Sequence, residues 1–348
     1  MKKYLKLLGF SILLLFVLPM LITFVVYQVA FNYRFESPVF SHFLRYQDVV
    51  AYPRRVVQFP SGRYQLTAYL YGEAHPEPKG LVVISHGYGA GAEHYFRETM
   101  FFVDEGWRVF AFNNTGSHTS EGAGIIGLHQ SVLDLDAALT YIAQQEWGLP
   151  IMLYGHSWGG FAVAAVLERG HEVSAVVSLA GFDVPMDMLL EWAAHQVGMG
   201  FWARLMYPYL WLHQQLMFGD AVRLSAVAAI NATDTPVMVI HGNGDTVIPY
   251  DEGSIMSQRE RITNPNVVFV TRSGSHHNDH TNLLLDAETA LLHEQLDLMY
   301  LALRADYQGQ IPEGAWEAFY ESVRDQVSVL DAPFMAEIGA FFLASTNH

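Results

Sequence analysis

The sequence predicts an α/β protein: a mostly parallel sheet flanked by helices, with a helical cap insertion and an N-terminal membrane-length helix. Three observations predict it. Short apolar runs alternate with amphipathic helical stretches along most of the chain. Nearly every run ends in a glycine-rich loop, and in parallel sheets the sites gather at the carboxyl ends of the strands. Finally, Lys2, Lys3 and Lys6 precede an almost uncharged run of 24 residues, Leu7 to Ala30.

The elements follow in order. Leu7–Ala30 is long enough to cross roughly 30 Å of hydrocarbon as a helix, and Pro19 is placed to kink it. Its lysines stay cytoplasmic, which sends the rest of the chain outside. A cleaved signal peptide, and with it a secreted protein, is the rival; Tyr27-Gln28-Val29-Ala30 is a poor cleavage site. Residues 31–54 read as an aromatic and basic connector, and 55–348 as the main domain. Val56–Phe59 and Leu66–Tyr71 read as antiparallel strands around Pro60-Ser61-Gly62. Leu81–Ser85 is continuously apolar, as for a strand buried on both faces, and ends in His86-Gly87-Tyr88-Gly89. Glu93–Glu105 reads as a helix and Trp107–Phe112 as the next strand. Val132–Gln144 is helical, with apolar residues at 132, 135, 138, 139 and 142. Ile151–Tyr154, Val173–Leu179, Pro236–Ile240 and Val267–Val270 complete the strands. Phe334–Leu343 closes the chain as a helix on the sheet.

Two stretches break the alternation. Residues 184–233 are far longer than one crossover helix and rich in Trp, Tyr, Phe and Met. Extra core helices are one reading; a cap lining an apolar pocket over a site is the favoured one. Residues 281–330 form a second helical insertion.

Composition narrows the function. At 348 residues, 51% hydrophobic and 16% charged, the chain is not disordered. A formal net charge of −16 argues against a nucleic-acid partner, and solubility is reason enough for it. The absence of cysteine excludes disulfides, thiol catalysis and Cys-ligated zinc.

The chemistry centres on Gly155-His156-Ser157-Trp158-Gly159, a G-x-S-x-G between an apolar strand and an apolar helix. Such a turn holds a serine hydroxyl proud of a sheet, in a strained backbone that leaves no room for side chains two residues away. The helix behind it points N–H groups and a positive dipole end at any oxyanion formed there. In this context the sequence resembles the α/β-hydrolase superfamily, over most of Val56 to Leu343. His86-Gly87-Tyr88-Gly89 resembles the H-G-x-G loop of its monoacylglycerol-lipase-like and serine-aminopeptidase-like members. Asn113 to Gly122 resembles their D-x-x-G-x-G-x-S-x-G loop, with Asn113 in place of the aspartate and His118 in place of the second glycine.

The resemblance implies a triad in the order Ser, Asp, His. Ser157 is the nucleophile. Asp245, in His241-Gly242-Asn243-Gly244-Asp245, matches the acid loop. The base is His276, by counting from the strand end; His277, favoured by the following Asn-Asp, is the alternative. His276, His277, Asp279 and His280 could also be read as metal ligands, but adjacent histidines usually point apart, and no metal or organic cofactor is implied. Backbone N–H groups of Tyr88 and Trp158 are the expected oxyanion donors, with Gly87 and Gly89 allowing close approach. The implied activity is a membrane-anchored serine hydrolase acting on a carboxylic ester, with an apolar or lipid-like acyl group. A serine aminopeptidase, gripping a free amine through Asp183, Asp187 or Glu191, is the alternative within the fold. A catalytically silent binding module at the membrane is the alternative from another class.

Overall fold

Eight strands form one sheet in the order β1-β2-β4-β3-β5-β6-β7-β8. The computed structural model describes residues 2–36, 44–49, 51–195, 198, 200–327 and 329–346. Of the expected connector, 37–43 and 50 lie outside the described residues, as do 196, 197 and 199 of the first insertion and 328 of the second.

β1 (Arg54–Ser61) and β2 (Tyr64–Tyr71) form the expected hairpin. β2 runs antiparallel to β4 (Arg108–Phe112). From β4 onward every neighbouring pair is parallel, through β3 (Leu81–Ser85), β5 (Ile151–His156), β6 (Ala175–Leu179), β7 (Val237–Gly242) and β8 (Val267–Arg272). β3 and β6 are buried along their whole length, which explains their unbroken apolar sequence. The edge strand β8 runs two residues past the apolar Val267–Val270, because backbone pairing carries Thr271 and Arg272 beside His241 and Gly242.

The chain passes from β3 to β4 on one side and returns to β5 on the other. Adjacent loops therefore diverge at the carboxyl ends of β3 and β5, which opens a crevice where such sheets bind ligands. His86–Gly89 and Ser157 lie at those two ends.

Helices cover both faces. A helix at Phe96–Asp104 and the closing helix at Ala332–Ala344 pack on one, where Phe342 meets Phe102 and Trp107. Gln130–Gln144, Trp158–Ala165 and Ala226–Asn231 pack on the other. The eight residues of Trp158–Ala165 are all buried, as their small apolar sequence requires.

The first insertion contributes helices at Pro185–His195 and Gly200–Phe218, and the second contributes Ala287–Asp306 and Glu313–Val323. Trp192, Phe201 and Trp202 are 51%, 73% and 57% exposed. The sequence placed such side chains in a pocket lining; the structure turns these three outward.

The N-terminal helix, Lys2–Phe31, is long and apolar enough to cross a membrane, and most of its apolar surface is exposed. Leu13–Val17 forms a π-helical turn that ends two residues before Pro19. Proline has no N–H for the carbonyl four residues back. That carbonyl, of Leu15, accepts instead from the Tyr209 hydroxyl of the Gly200–Phe218 helix.

Candidate active site

Ser157 sits at φ 57°, ψ −115°, a strained conformation for a residue with a side chain. Its surroundings enforce it. A Cβ on Gly155 would lie 2.2 Å from the Gly159 carbonyl oxygen, and one on Gly159 would lie 2.0 Å from that of Ser85. Only glycine fits at either position, so strand and helix close tightly and lift the serine out of the sheet. The Ser157 N–H donates to the Leu179 carbonyl at 2.7 Å, locking the turn to β6.

The imidazole that meets this serine belongs to His280. Its Nε2 is 2.9 Å from Ser157 Oγ, and its Nδ1 is 2.7 Å from Asp245 Oδ2. The structure brings Ser157 and Asp245 to opposite nitrogens of one imidazole, and that imidazole is not an expected one: neither His276 nor His277 bridges them. The reason lies two residues upstream of His280. The Asn278 carbonyl accepts the Gly244 N–H at 2.9 Å, and the Asn278 amide reaches Asn243 Oδ1 at 3.1 Å. The loop is thus pinned to the acid loop at Asn278, and the chain turns inward only after it. Asp279 Oδ1 accepts the His280 N–H at 2.6 Å and fixes that turn. His276, at φ 75°, lies in the earlier bend and is partly exposed, as is His277. Counting from Val270 also started two residues short of the strand's end. The one available sequence signal was Asn278-Asp279, turn chemistry that returns the next residue toward the sheet.

Asp245 is 5% exposed. Burial pushes its carboxyl up, but hydrogen bonds from His241 and His280, the His280 charge and the Ile248 N–H outweigh it and hold it well below the usual carboxylate range. Its Oδ1 accepts the Val247 and Ile248 N–H groups at 2.8 and 2.9 Å. Oδ2 also lies 3.2 Å from His241 Nε2. The carboxylate is therefore ionised and fully oriented.

A second set of bonds ties the machinery together. The Gly87 N–H donates to the Tyr95 hydroxyl at 3.0 Å, and that hydroxyl lies 2.9 Å from His156 Nδ1. His156 Nε2 lies 2.9 Å from the His280 carbonyl. Burial and the neighbouring His280 pull the His156 pKa down to about 3, so its ring is neutral. It accepts from Tyr95 and donates to the backbone of His280. His86 is likewise held neutral, pulled down to about 3 by burial, and its Nε2 accepts the Asn114 N–H at 2.9 Å.

The Tyr88 and Trp158 rings meet edge-on at 5.8 Å, so the two expected oxyanion segments are neighbours. Trp158 opens its helix, and an N–H in the first turn has no intrahelical acceptor. Gly87 packs against His156: a Cβ there would be 3.3 Å from His156 Nδ1. Asn113 ties its loop to the segment after β3, its Oδ1 taking the Ala92 N–H at 2.8 Å, and braces its own loop through its amide, which reaches Thr119 at 2.9 Å. Asp183 is occupied too: its Oδ1 accepts from Ser225 Oγ at 2.5 Å and from the Val227 N–H at 3.0 Å. Among the described residues, no three His, Asp or Glu side chains are grouped to hold a metal ion.

The family model of the serine aminopeptidases (S33) matches residues 76–228. The fold is that of a Pyrococcus furiosus esterase, with a TM-score of 0.53 at 17% identity, covering 79% of this chain and 98% of that one. The chain has the α/β-hydrolase fold. An α/β-hydrolase from a Penicillium species shares the fold at TM-score 0.51 and 17% identity, covering 70% of this chain and 97% of its own. Among curated relatives, this chain is 23% identical to the lysophosphatidylserine lipase ABHD12 of Danio rerio over 218 residues, 59% of this chain and 53% of that protein. It is 32% identical to human monoglyceride lipase over 104 residues, 29% of this chain and 34% of that one. The chain thus spans about half the length, or less, of these two relatives.

Proposed function

We propose that this α/β-hydrolase is a membrane-anchored serine esterase that cleaves carboxylic esters with an apolar, lipid-like acyl group. The observation that carries the reading is the unbroken hydrogen-bonded run from Ser157 Oγ through His280 to the ionised Asp245. His280 Nε2 takes the hydroxyl proton as Ser157 Oγ attacks the carbonyl carbon, and Asp245 stabilises the imidazolium that forms. The N–H groups of Tyr88 and Trp158 receive the oxyanion. His280 then returns the proton to the leaving alkoxide, and a water, activated the same way, frees the acyl group from Ser157.

The apolar acyl preference is supported by the curated lipases among the relatives and by the apolar N-terminal helix. With Lys2, Lys3 and Lys6 cytoplasmic, the catalytic domain lies on the far side of the membrane. The family model's description favours a second reading, an aminopeptidase. Against it, the Asp183 carboxylate already serves the turn at Ser225.

A panel of p-nitrophenyl esters of rising chain length, run beside aminoacyl p-nitroanilides, tests the assignment. Ester turnover that rises with chain length and vanishes in Ser157→Ala is expected. Turnover of the anilides alone would replace the esterase by the peptidase, and no turnover or fluorophosphonate labelling by folded protein would leave a silent module.

A further inference from the structure

The C-terminal end of the N-terminal helix does more than tether. Tyr27 and Phe31 are 3% and 7% exposed and belong to the same core as Ile125, Leu128 and Trp158. The loop after β4 is shaped to receive them. A Cβ on Gly127 would sit 1.7 Å from the Tyr27 hydroxyl oxygen, and one on Gly124 would sit 2.7 Å from the Tyr33 nitrogen. The chain then pairs with that loop. The Phe35 N–H donates to Gly116 at 3.0 Å, its carbonyl accepts the His118 N–H at 2.7 Å, and Arg34 donates to the Gly122 carbonyl at 2.9 Å.

These contacts converge on Tyr88. Its ring is met edge-on by Phe31 at 6.3 Å, Tyr33 at 6.5 Å and Phe35 at 5.1 Å, with Trp158 on a further side at 5.8 Å. The Tyr33 and Tyr88 hydroxyls are hydrogen-bonded. A Cβ on Gly89, next in the same loop, would touch the Phe35 ring at 3.5 Å. Tyr88 lies between two glycines, Gly87 and Gly89, in a segment that has little stiffness of its own.

We propose that residues 27–35 are a retained part of the catalytic domain and a positioning element: they clamp the Tyr88 side chain and thereby hold its backbone N–H toward the oxyanion. The inference rests on the reading of Ser157 as nucleophile and Tyr88 as oxyanion donor. It moves the working boundary of the catalytic unit into the anchor helix, so that cleaving the anchor as a signal would strip one wall from the site.

The test uses the full chain in detergent micelles with a soluble p-nitrophenyl ester, so that delivery from a membrane plays no part. Deleting an oxyanion donor outright costs about 10²–10³ in kcat, so loosening one in Phe31→Ala/Phe35→Ala is expected to cost about ten- to a hundredfold, with KM within about threefold. Tyr33→Phe removes only the hydroxyl pair and is expected to lower kcat about three- to tenfold, with an unchanged melting temperature. If the double variant does not fold, Tyr33→Phe decides. Folded variants with kcat within about twofold of the parent overturn the proposal, as does an active purified protein whose intact mass lacks residues 27–35. A parent chain that neither turns over the ester nor labels at Ser157 sinks the reading of the site itself; a working parent with indifferent variants sinks the clamp alone.

Discussion

Replacing Asp245 by asparagine should remove most of the activity while leaving the fold in place, and the structure says how. Oδ1 of residue 245 accepts two backbone N–H groups, from Val247 and Ile248. An asparagine must turn its carbonyl oxygen to those donors, which directs its NH2 at His280 Nδ1. Two donors cannot face each other, so His280 shifts its proton to Nε2, the atom that must accept the Ser157 hydroxyl. The charge is lost as well. At the 2.7 Å separation of Asp245 Oδ2 and His280 Nδ1, Coulomb attraction on the imidazolium comes to about 6 kcal/mol at an effective dielectric near 20. Both effects point to a fall of about 10⁴-fold in kcat, the size found for the equivalent change in the serine-protease triad. The assay is ester hydrolysis by purified protein, with circular dichroism as the check on folding. A folded variant that keeps more than a tenth of the parent kcat would refute this account of Asp245.

Further predictions concern the scaffold. Gly159→Ala puts a methyl 2.0 Å from the Ser85 carbonyl oxygen and should abolish soluble folded yield, whereas Gly314→Ala, with open space around it, should leave the melting temperature unchanged or slightly raised. Tyr95→Phe leaves the Gly87 N–H and His156 Nδ1 without their shared hydroxyl; urea unfolding should show a loss of about 1–3 kcal/mol, with a several-fold fall in kcat. Buried His86, His94 and His156 are pulled down to about 3 and His129 to about 4, so each stays neutral in the folded protein where the unfolded chain takes up a proton. Their contribution is complete above about pH 6.5 and is lost as pH falls toward their folded values. Glu98, pushed up to about 7 by burial, acts in the opposite sense between its ordinary value and that one. The histidines outnumber it, so stability should fall on acidification. His156→Gln should flatten the slope by up to about 1.4 kcal/mol per pH unit between about pH 6 and 4.5. An unchanged slope in calorimetry would mean that His156 is not held neutral.

Much of the fold was legible because burial writes itself into sequence. β3 and β5 read as apolar runs because both sheet faces are covered, and Gly155 and Gly159 were readable because the elbow admits no side chain at either place. Asp245 stood close to its strand, where little chain intervenes to blur the count. His280 did not. The loop that carries it is shaped by bonds from Asn278 to the distant acid loop, and no local periodicity reports those. The same holds for the seat of the N-terminal helix. Gly124 and Gly127 make the space for Tyr27 and Tyr33, but a hole left by two glycines in a loop looks in sequence like any turn. The outward Phe201 and Trp202 misled for the opposite reason: composition marks a helix as apolar without saying which side it shows.

The identity of the general base carries the rest, and one experiment addresses it directly. Rates of fluorophosphonate labelling are compared for the parent chain, Ser157→Ala, His276→Ala, His277→Ala and His280→Ala. Ser157→Ala should not label, His280→Ala should label at least a hundredfold more slowly, and the other two should stay within about threefold of the parent. Loss of labelling in His276→Ala or His277→Ala, with His280→Ala reacting like the parent, would contradict the triad drawn here.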